Sequence, residues 1–345
     1  MTTEIKPLVF EQLSPSLLAS LQEKKLYLQW GYDNWLQFMR WNLLNNPFRE
    51  GQPIGYGLYQ NSKLMASIIF TYLPFIFRDK RIIVASGSDF CAFVGCSLKN
   101  TLFFSNYCIK NAPTELLITP HASEAVHALW ARYGASFMQD SEKTFQKCVS
   151  LKNKIFQKII KPRLNNFTSY QLKRQDFFVK FGKINFLSEI SFDDIISIEK
   201  IFLSQCKVPF CSIEKKFDYL KWRYLDSPFS SHYFYIEIRQ GRKLLGLAII
   251  QKIQSSARIC EFIVTPDDIL AQKQLLSAAI VLAKKIYCVY LNTKIISSSL
   301  ESLWSQNKFE LTKKTYQQYL IVSSERKIFE EKFPGLFSYG DFKLV

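Results

Sequence analysis

Two acids stand in similar surroundings far apart in the chain: Asp89 in Ser86-Gly87-Ser88-Asp89-Phe90 and Glu261 in Cys260-Glu261-Phe262. A carboxylate at the end of a strand, among Phe and Cys side chains that disfavour its charged form, has the properties of a general base. The alternative is a strand-end acid that is simply hydrogen-bonded or exposed. Arg223 could form a local pair with Asp226 or grip a substrate carboxylate or phosphate through its planar fork. Trp41 and Trp222 read as packing residues that seat a helix on a sheet, with ligand stacking as the alternative. Lys99 and Lys110 could flank a phosphate-binding helix start or stand as solvated surface lysines. Metal chemistry finds no support. The eight cysteines are scattered without a CxxC pair, and His121 and His127 are not at the i, i+4 spacing of a helical metal pair.

The elements that must hold these residues come in two similar sets. Residues 38–48 (FMRWNLLNNPF) and 219–229 (YLKWRYLDSPF) run in step without a gap, with Trp41/Trp222, Leu44/Leu225, Pro47/Pro228 and Phe48/Phe229 identical. Gln60 to Met65 lies over Gln240 to Leu245 at nearly the same spacing. A repeat this long is a whole domain, since solenoid periods are about 20–50 residues. Each set reads as helix, two antiparallel strands, a longer central strand, helix, strand, helix, strand. In the first, a helix starts at Ser14-Pro15, another covers 33–45, and strands cover Gly55 to Gln60 and Lys63 to Tyr72. Pro74 then opens a second hairpin, Ile82 to Phe90 is the central strand, and Ser97 to Lys110 is helical. In the second, strands Tyr233 to Arg239 and Lys243 to Lys252 turn through Gln240-Gly241-Arg242, and Ala257 to Val264 is central. Pro266-Asp267-Asp268 starts a long helix, and Tyr316 to Val322 closes the unit. The expected class is α+β: two domains, 1–140 and 186–325, each a mixed, mainly antiparallel sheet flanked by helices. A basic linker at 141–185 joins them, and 326–345 is a tail.

Composition narrows the setting. With 345 residues and 48% hydrophobic content the chain has material for two cores, and the net charge of +16 favours anionic partners. Much of that charge falls between Lys143 and Lys183, where Ile155, Phe156, Ile159 and Ile160 recur at helical spacing among lysines. This segment reads as a solvated linker helix, a membrane-surface contact, or part of a basic groove for an anionic cofactor. The longest apolar run, Leu64 to Phe77, is broken by Pro74 and too short to span a bilayer, so a buried strand pair is expected. The amino-terminal MTTEIKPLVFEQL carries no export pattern, and the expected location is cytoplasmic, possible contact with the inner membrane face included.

The order of elements resembles the GNAT superfamily of acyl-coenzyme A N-acyltransferases, and the doubling resembles tandem GNAT proteins found with bacterial polysaccharide and cell-surface genes. The similar residues are Trp222-Arg223-Tyr224 with Pro228, the acidic-aromatic strand ends at Asp89-Phe90 and Glu261-Phe262, and the helix-turn pair Leu129-Trp130 to Gly134 and Leu303-Trp304 to Phe309. The resemblance implies acyl transfer from acetyl-CoA or another acyl-CoA to a primary amine, with an amino sugar or surface-glycan precursor as acceptor and no metal. It implies Asp89 and Glu261 as catalytic bases, and Phe90, Cys91, Ala92, Gly95 and Lys99 around the coenzyme A arm and its pyrophosphate. It implies Trp222 and Arg223 on the substrate. Two departures stand out. Neither unit has the glycines of the family's pyrophosphate loop, and Trp130 and Trp304 replace a tyrosine that often protonates the leaving thiolate. Two other readings follow from the same resemblance: a catalytically decayed scaffold, or a Fem-type transferase using aminoacyl-tRNA, for which the positive charge would serve.

Overall fold

The computed structural model describes residues 2–11, 32–77, 80–119, 124–133, 136–138, 142–150, 177–179, 182–186, 196–198, 200–202, 211–265, 267–295, 300–315 and 319–323. The helix expected at Ser14-Pro15, the lysine-rich stripe of Ile155 to Ile160, and His121 lie outside the described residues. The fold is α+β, with two mixed sheets flanked by helices and two compact units, one around each sheet.

In the first unit, β1 (Thr3–Pro7), β2 (Gly55–Gln60), β3 (Lys63–Phe77) and β4 (Lys80–Ala92) are successive antiparallel neighbours. Helix α1 (Tyr32–Leu43) buries Trp35, Phe38, Met39, Trp41 and Leu43. Its end is tied to β3, because Asn42 Nδ2 donates to Thr71 Oγ1 at 2.7 Å and Asn46 Nδ2 to the Tyr72 carbonyl at 2.9 Å. The β2–β3 turn is made by Asn61 (φ 49°) and Ser62 (φ 63°), the left-handed pair that suits the twist of a two-residue hairpin. Strand β3 does not break at Pro74 as expected; it runs unbroken to Phe77, with Pro74 opposite Ile83. Pro74 lies past Ile69, the last residue paired with β2, so its missing N–H costs that ladder nothing.

Beyond β4 come α2 (Leu98–Lys110), β5 (Leu116–Thr119), α3 (Glu124–Arg132) and β6 (Ser136–Met138). The second unit holds β7 (Glu142–Cys148), β8 (Phe177–Val179) and β9 (Gly182–Phe186); β10 (Cys211–Ile213) and a single helical turn, α4 (Phe217–Leu220), come next in the chain. They are followed by β11 (Tyr233–Gln240), β12 (Lys243–Ile253), β13 (Ser256–Val264), α5 (Ile269–Lys285), β14 (Tyr290–Ile295), α6 (Glu301–Gln306) and β15 (Glu310–Thr315). The last strand, β16 (Tyr319–Ser323), does not close the second unit. It pairs antiparallel with β5 and β6 in the first sheet, whose order is β1-β2-β3-β4-β5-β16-β6. The place beside β14 in the second sheet is taken by β7, a stretch read from sequence as part of the linker, and that sheet runs β15-β7-β14-β13-β12-β11-β9-β8. Its core is the apolar face of α5 (Ala271, Leu275, Leu276, Ala278, Ala279, Leu282, Ala283) laid on Ile236, Ile250, Ile259 and their neighbours.

The central hairpins of the two sheets share one register. Ala66 faces Ala92 and Phe70 faces Gly87 in the first; Gly246 faces Val264 and Ile250 faces Ile259 in the second. Each pair differs from its counterpart by 180 on the inner strand and 172 on the outer. Between those points β4 and β13 each carry an extra residue, a β-bulge, where Ser67/Ile69 meet Cys91/Ser88 and where Ile249/Ile250 meet Glu261/Ile259. Asp89 and Glu261 therefore stand at the same offset on the outer strand, each beside its bulge, although Glu261 is paired with Ile249 and Asp89 lies in the unpaired stretch.

Candidate functional site

Both sheets part at nearly the same place, the second one residue later than the first. Among the described residues, strand β4 pairs in parallel with β5 through Ala85/Leu117 and Ser86/Ile118 alone, although β4 continues to Ala92. Strand β13 pairs with β14 from Ser256/Tyr290 to Ile259/Thr293, although both continue. From Gly87 onward, and from Cys260 onward, one edge of the central strand lacks the partner it had. Such an edge can accept an extended chain through its backbone N–H and C=O groups.

In the first unit this edge holds Phe90, Cys91 and Ala92, all at least partly accessible. The Phe90 ring stacks on Phe104 of α2 at 5.7 Å and meets Trp130 of α3 edge-on at 5.9 Å. Asp89 has its backbone in the bulge; its side chain lies outside the described residues. The chain then turns at Val94-Gly95, where Gly95 has φ +90°, a conformation only glycine adopts without strain. Ser97 caps α2 by accepting from Asn100 N at 3.2 Å. The first turn of α2 has no acid and carries exposed Lys99, so the positive end of the helix dipole is undiminished there. At the point of parting, a Cβ on Gly87 would lie 3.2 Å from Thr119 Oγ1 and 3.3 Å from Ile68 Cδ1. Thr119 Oγ1 and Trp130 Nε1 are buried with no hydrogen-bond partner among the described residues.

The second unit fills the corresponding places differently. The register position of Gly87 is taken by Ile259, 2% exposed in the core, and that of Trp130 by Trp304, edge-on to Phe262 at 5.1 Å. Helix α5 is capped by a carboxylate: Asp268 Oδ1 accepts from Ala271 N at 2.8 Å, with Asp267 just before it. Two acids now stand where a phosphate would need donors, and they repel an anion. Glu261 is 1% exposed, and its Oε1 accepts from Lys215 Nζ at 3.0 Å and from the Tyr224 hydroxyl at 2.5 Å. Lys215 itself is 2% exposed and lies over the Tyr219 ring at 5.0 Å. Burial and then the neighbouring Glu261 push the Tyr224 hydroxyl well above the usual phenol range, so it stays a donor. Burial pushes the Cys260 thiol up to about 12. A carboxylate held by an ammonium and a phenol in a buried layer is a structural anchor, since removing either partner would leave the other buried and uncompensated.

Trp222 and Arg223 sit on a π-helical turn, Lys221–Leu225, that follows α4 directly. Both are buried: Trp222 packs near Tyr219 at 6.2 Å, and the Arg223 guanidinium lies 5.8 Å from the centre of the Tyr224 ring. The turn thus brings Tyr224 to Glu261 and places Arg223 in the same buried layer. Sequence reasoning missed Lys215, which reads as a surface lysine in Glu214-Lys215-Lys216, and Thr119, which merely ends an apolar run. Among the described residues no three His, Cys, Asp or Glu side chains are grouped to hold a metal ion, and no helix is long and apolar enough to cross a membrane.

No family model and no curated protein matches the sequence. Solved structures do resemble this one. A conserved protein of unknown function from Enterococcus faecalis, described as a probable N-acyltransferase, matches with a TM-score of 0.61 at 12% identity, over 94% of this chain and 74% of that one. A GCN5-related N-acetyltransferase from Kribbella flavida matches with a TM-score of 0.60 at 8% identity, over 93% and 71%. The N-myristoyltransferase of Saccharomyces cerevisiae, solved with myristoyl-CoA and inhibitors bound, matches with a TM-score of 0.54 at 12% identity, over 93% and 79%. Likeness at this level of identity establishes architecture alone: this chain shares its fold with these structures.

Proposed function

We propose that this protein moves an acyl group from acyl-CoA to a primary amine, and that the first unit holds the thioester. The observation that carries the reading is the contrast between two sheets that part within one residue of the same register. In the first, the parting is floored by Gly87 and followed by a serine-capped, acid-free helix start with Lys99; in the second, Ile259 fills the floor and Asp267 and Asp268 occupy the helix start. The pantetheine arm lies along Phe90 to Ala92, and the pyrophosphate meets the N–H groups after Gly95. The yeast enzyme's bound myristoyl-CoA supports a long thioester as the ligand of this architecture.

In the reaction the amine nitrogen attacks the thioester carbonyl, a C–N bond forms, the C–S bond breaks, and the sulfur leaves with the electron pair. The nitrogen loses a proton, for which Asp89 at the bulge is the base in this reading. Glu261, at the same offset but held by Lys215 and Tyr224, stabilises the second unit and orients the Trp222-Arg223-Tyr224 turn. The matching offsets favour a duplicated ancestor whose second copy gave up thioester binding and took on acceptor recognition, with Trp222 and Arg223, both buried, supporting its structure rather than touching the acceptor. An amino sugar or other cell-surface glycan precursor as acceptor rests on the family resemblance alone, and contact of the basic stretch 143–183 with an anionic surface rests on the sequence.

Thermal denaturation with acetyl-CoA tests this. A site-specific ligand at a hundred times its Kd stabilises by about 2.7 kcal/mol. Asp89→Asn should keep that stabilisation while losing about 10²- to 10⁴-fold in turnover. Absence of stabilisation by any acyl-CoA, from acetyl to long-chain, would contradict the reading.

A further inference from the structure

Where the first sheet parts, two buried donors lack an acceptor. The Thr119 hydroxyl, on a residue 4% exposed at the end of β5, and the indole N–H of Trp130, fully buried in α3, have no hydrogen-bond partner among the described residues. Folded proteins pair nearly all such groups, and the exceptions call for an explanation. Thr119 stands beside Gly87, and Trp130 beside Phe90 three residues further along β4. Thr119 Oγ1 lies 3.2 Å from where a Cβ of residue 87 would be, and Trp130 meets the Phe90 ring at 5.9 Å with an interplanar angle of 89°. An aromatic ring face is a weak acceptor at best and does nothing for the hydroxyl. Any side chain at residue 87 would crowd the Thr119 hydroxyl, and glycine avoids that.

The second unit supplies the comparison. Trp304 shares the unpaired indole N–H, edge-on to Phe262 at 5.1 Å and to Phe309 at 5.2 Å, so the indole alone is a feature of both units. Thr293, at the position of Thr119, is 3% exposed and is not among the groups left without a partner, and Ile259 covers the strand there. The unpaired hydroxyl, the bare glycine and the indole occur together in the first unit alone among the described residues.

We infer that the Thr119 hydroxyl and the Trp130 indole N–H are the side-chain donors to the carbonyl oxygen of the acyl group. The inference rests on the proposal that the first unit holds the thioester. As the amine attacks, negative charge grows on that oxygen, and preplaced donors in a site shielded from water stabilise the growing charge more than the resting carbonyl. Neither donor gives up its proton. The thiolate leaves as the anion, and the proton shed by nitrogen goes to the base.

The test is the infrared C=O stretch of acetyl-CoA labelled with ¹³C at the carbonyl, bound to the full chain, together with dissociation constants for acetyl-CoA and for CoA. A hydrogen-bonded carbonyl absorbs at lower frequency than a free one. Bound to the wild type, the band should shift down; Thr119→Val and Trp130→Phe should each move it back toward the unbonded position, and Thr119→Ser and Trp304→Phe should leave it at the wild-type value. Each donor removed should lower kcat by about 10²- to 10³-fold with a smaller change in KM. Weakened acetyl-CoA binding with CoA binding intact, in Thr119→Val but not Thr119→Ser, would also support the assignment. If acetyl-CoA binds and the band is the same in wild type, Thr119→Val and Trp130→Phe, the donor assignment is overturned while the thioester proposal stands. If the wild type binds no acyl-CoA, both fall.

Discussion

Lys215→Met is the perturbation whose size the structure fixes best. The Lys215 and Glu261 side chains are 2% and 1% exposed and meet at 3.0 Å, so this is no surface ion pair worth a few tenths of a kcal/mol. Methionine keeps the unbranched stem and removes the charge, which leaves the Glu261 carboxylate buried with the Tyr224 hydroxyl as its remaining bond from this pair of donors. Breaking a buried pair from one side costs about 3–5 kcal/mol. At about 2–4 °C per kcal/mol for a domain of 150–250 residues, the unfolding midpoint should fall by about 6–20 °C. The double variant Lys215→Met/Glu261→Leu removes both charges and should recover most of that loss, because no uncompensated charge remains in the core. Scanning calorimetry of wild type, both single variants and the double variant gives the coupling directly. A fall under about 2 °C for Lys215→Met, or a double variant whose loss equals the sum of the singles, would refute the reasoning that this pair is a structural anion–cation couple.

Two further outcomes follow from the buried chemistry. Burial pushes the Cys288 thiol up to about 11 and the Cys260 thiol up to about 12, and Cys108 higher still, whereas Cys148 is exposed. Iodoacetamide at pH 8 should therefore modify Cys148 in the native protein and reach Cys108, Cys260 and Cys288 only in denaturant, as peptide mass spectrometry would show; native labelling of those three would contradict their placement. Burial also raises Tyr72, Tyr224 and Tyr233 above the ordinary phenol value of 10.0. The fold holds these three neutral, so their contribution to stability is intact below about pH 10 and is lost as pH rises through their raised values. Absorbance at 295 nm should show part of the seventeen tyrosines ionising only together with an alkaline unfolding transition, and reversible titration of all of them near pH 10 with the native circular dichroism retained would contradict this.

Local chemistry made much of the fold legible in the sequence. Asn61-Ser62 and Gly241 marked the hairpin turns, Ser97 marked the start of α2, and Pro266-Asp267-Asp268 marked that of α5, because turn and cap residues act over a few positions. The correspondence of Asp89 and Glu261 in offset also emerged, since one bulge in each outer strand keeps the two hairpins in step on either side of it. The sheet that takes Tyr319–Ser323 did not, because nothing local distinguishes pairing with β5, some two hundred residues earlier, from closing the nearer sheet. Lys215 was illegible for a similar reason: its neighbours in sequence are charged, and its burial depends on Glu261, 46 positions away. Thr119 gives no signal in Leu116-Leu117-Ile118-Thr119; only the end of parallel pairing at Ile118 places its hydroxyl at the parted edge.

The central claim, that the first sheet and not the second receives the thioester, is tested most directly by hydrogen–deuterium exchange of the full chain with and without saturating acetyl-CoA. The account predicts slowed exchange over Gly87 to Ala92 and over Val94 to Thr101, where strand edge and helix start would gain partners, with no change from Cys260 to Ala271. Slowed exchange confined to Cys260 to Ala271, or unchanged exchange over Gly87 to Thr101 with ligand bound, would contradict it.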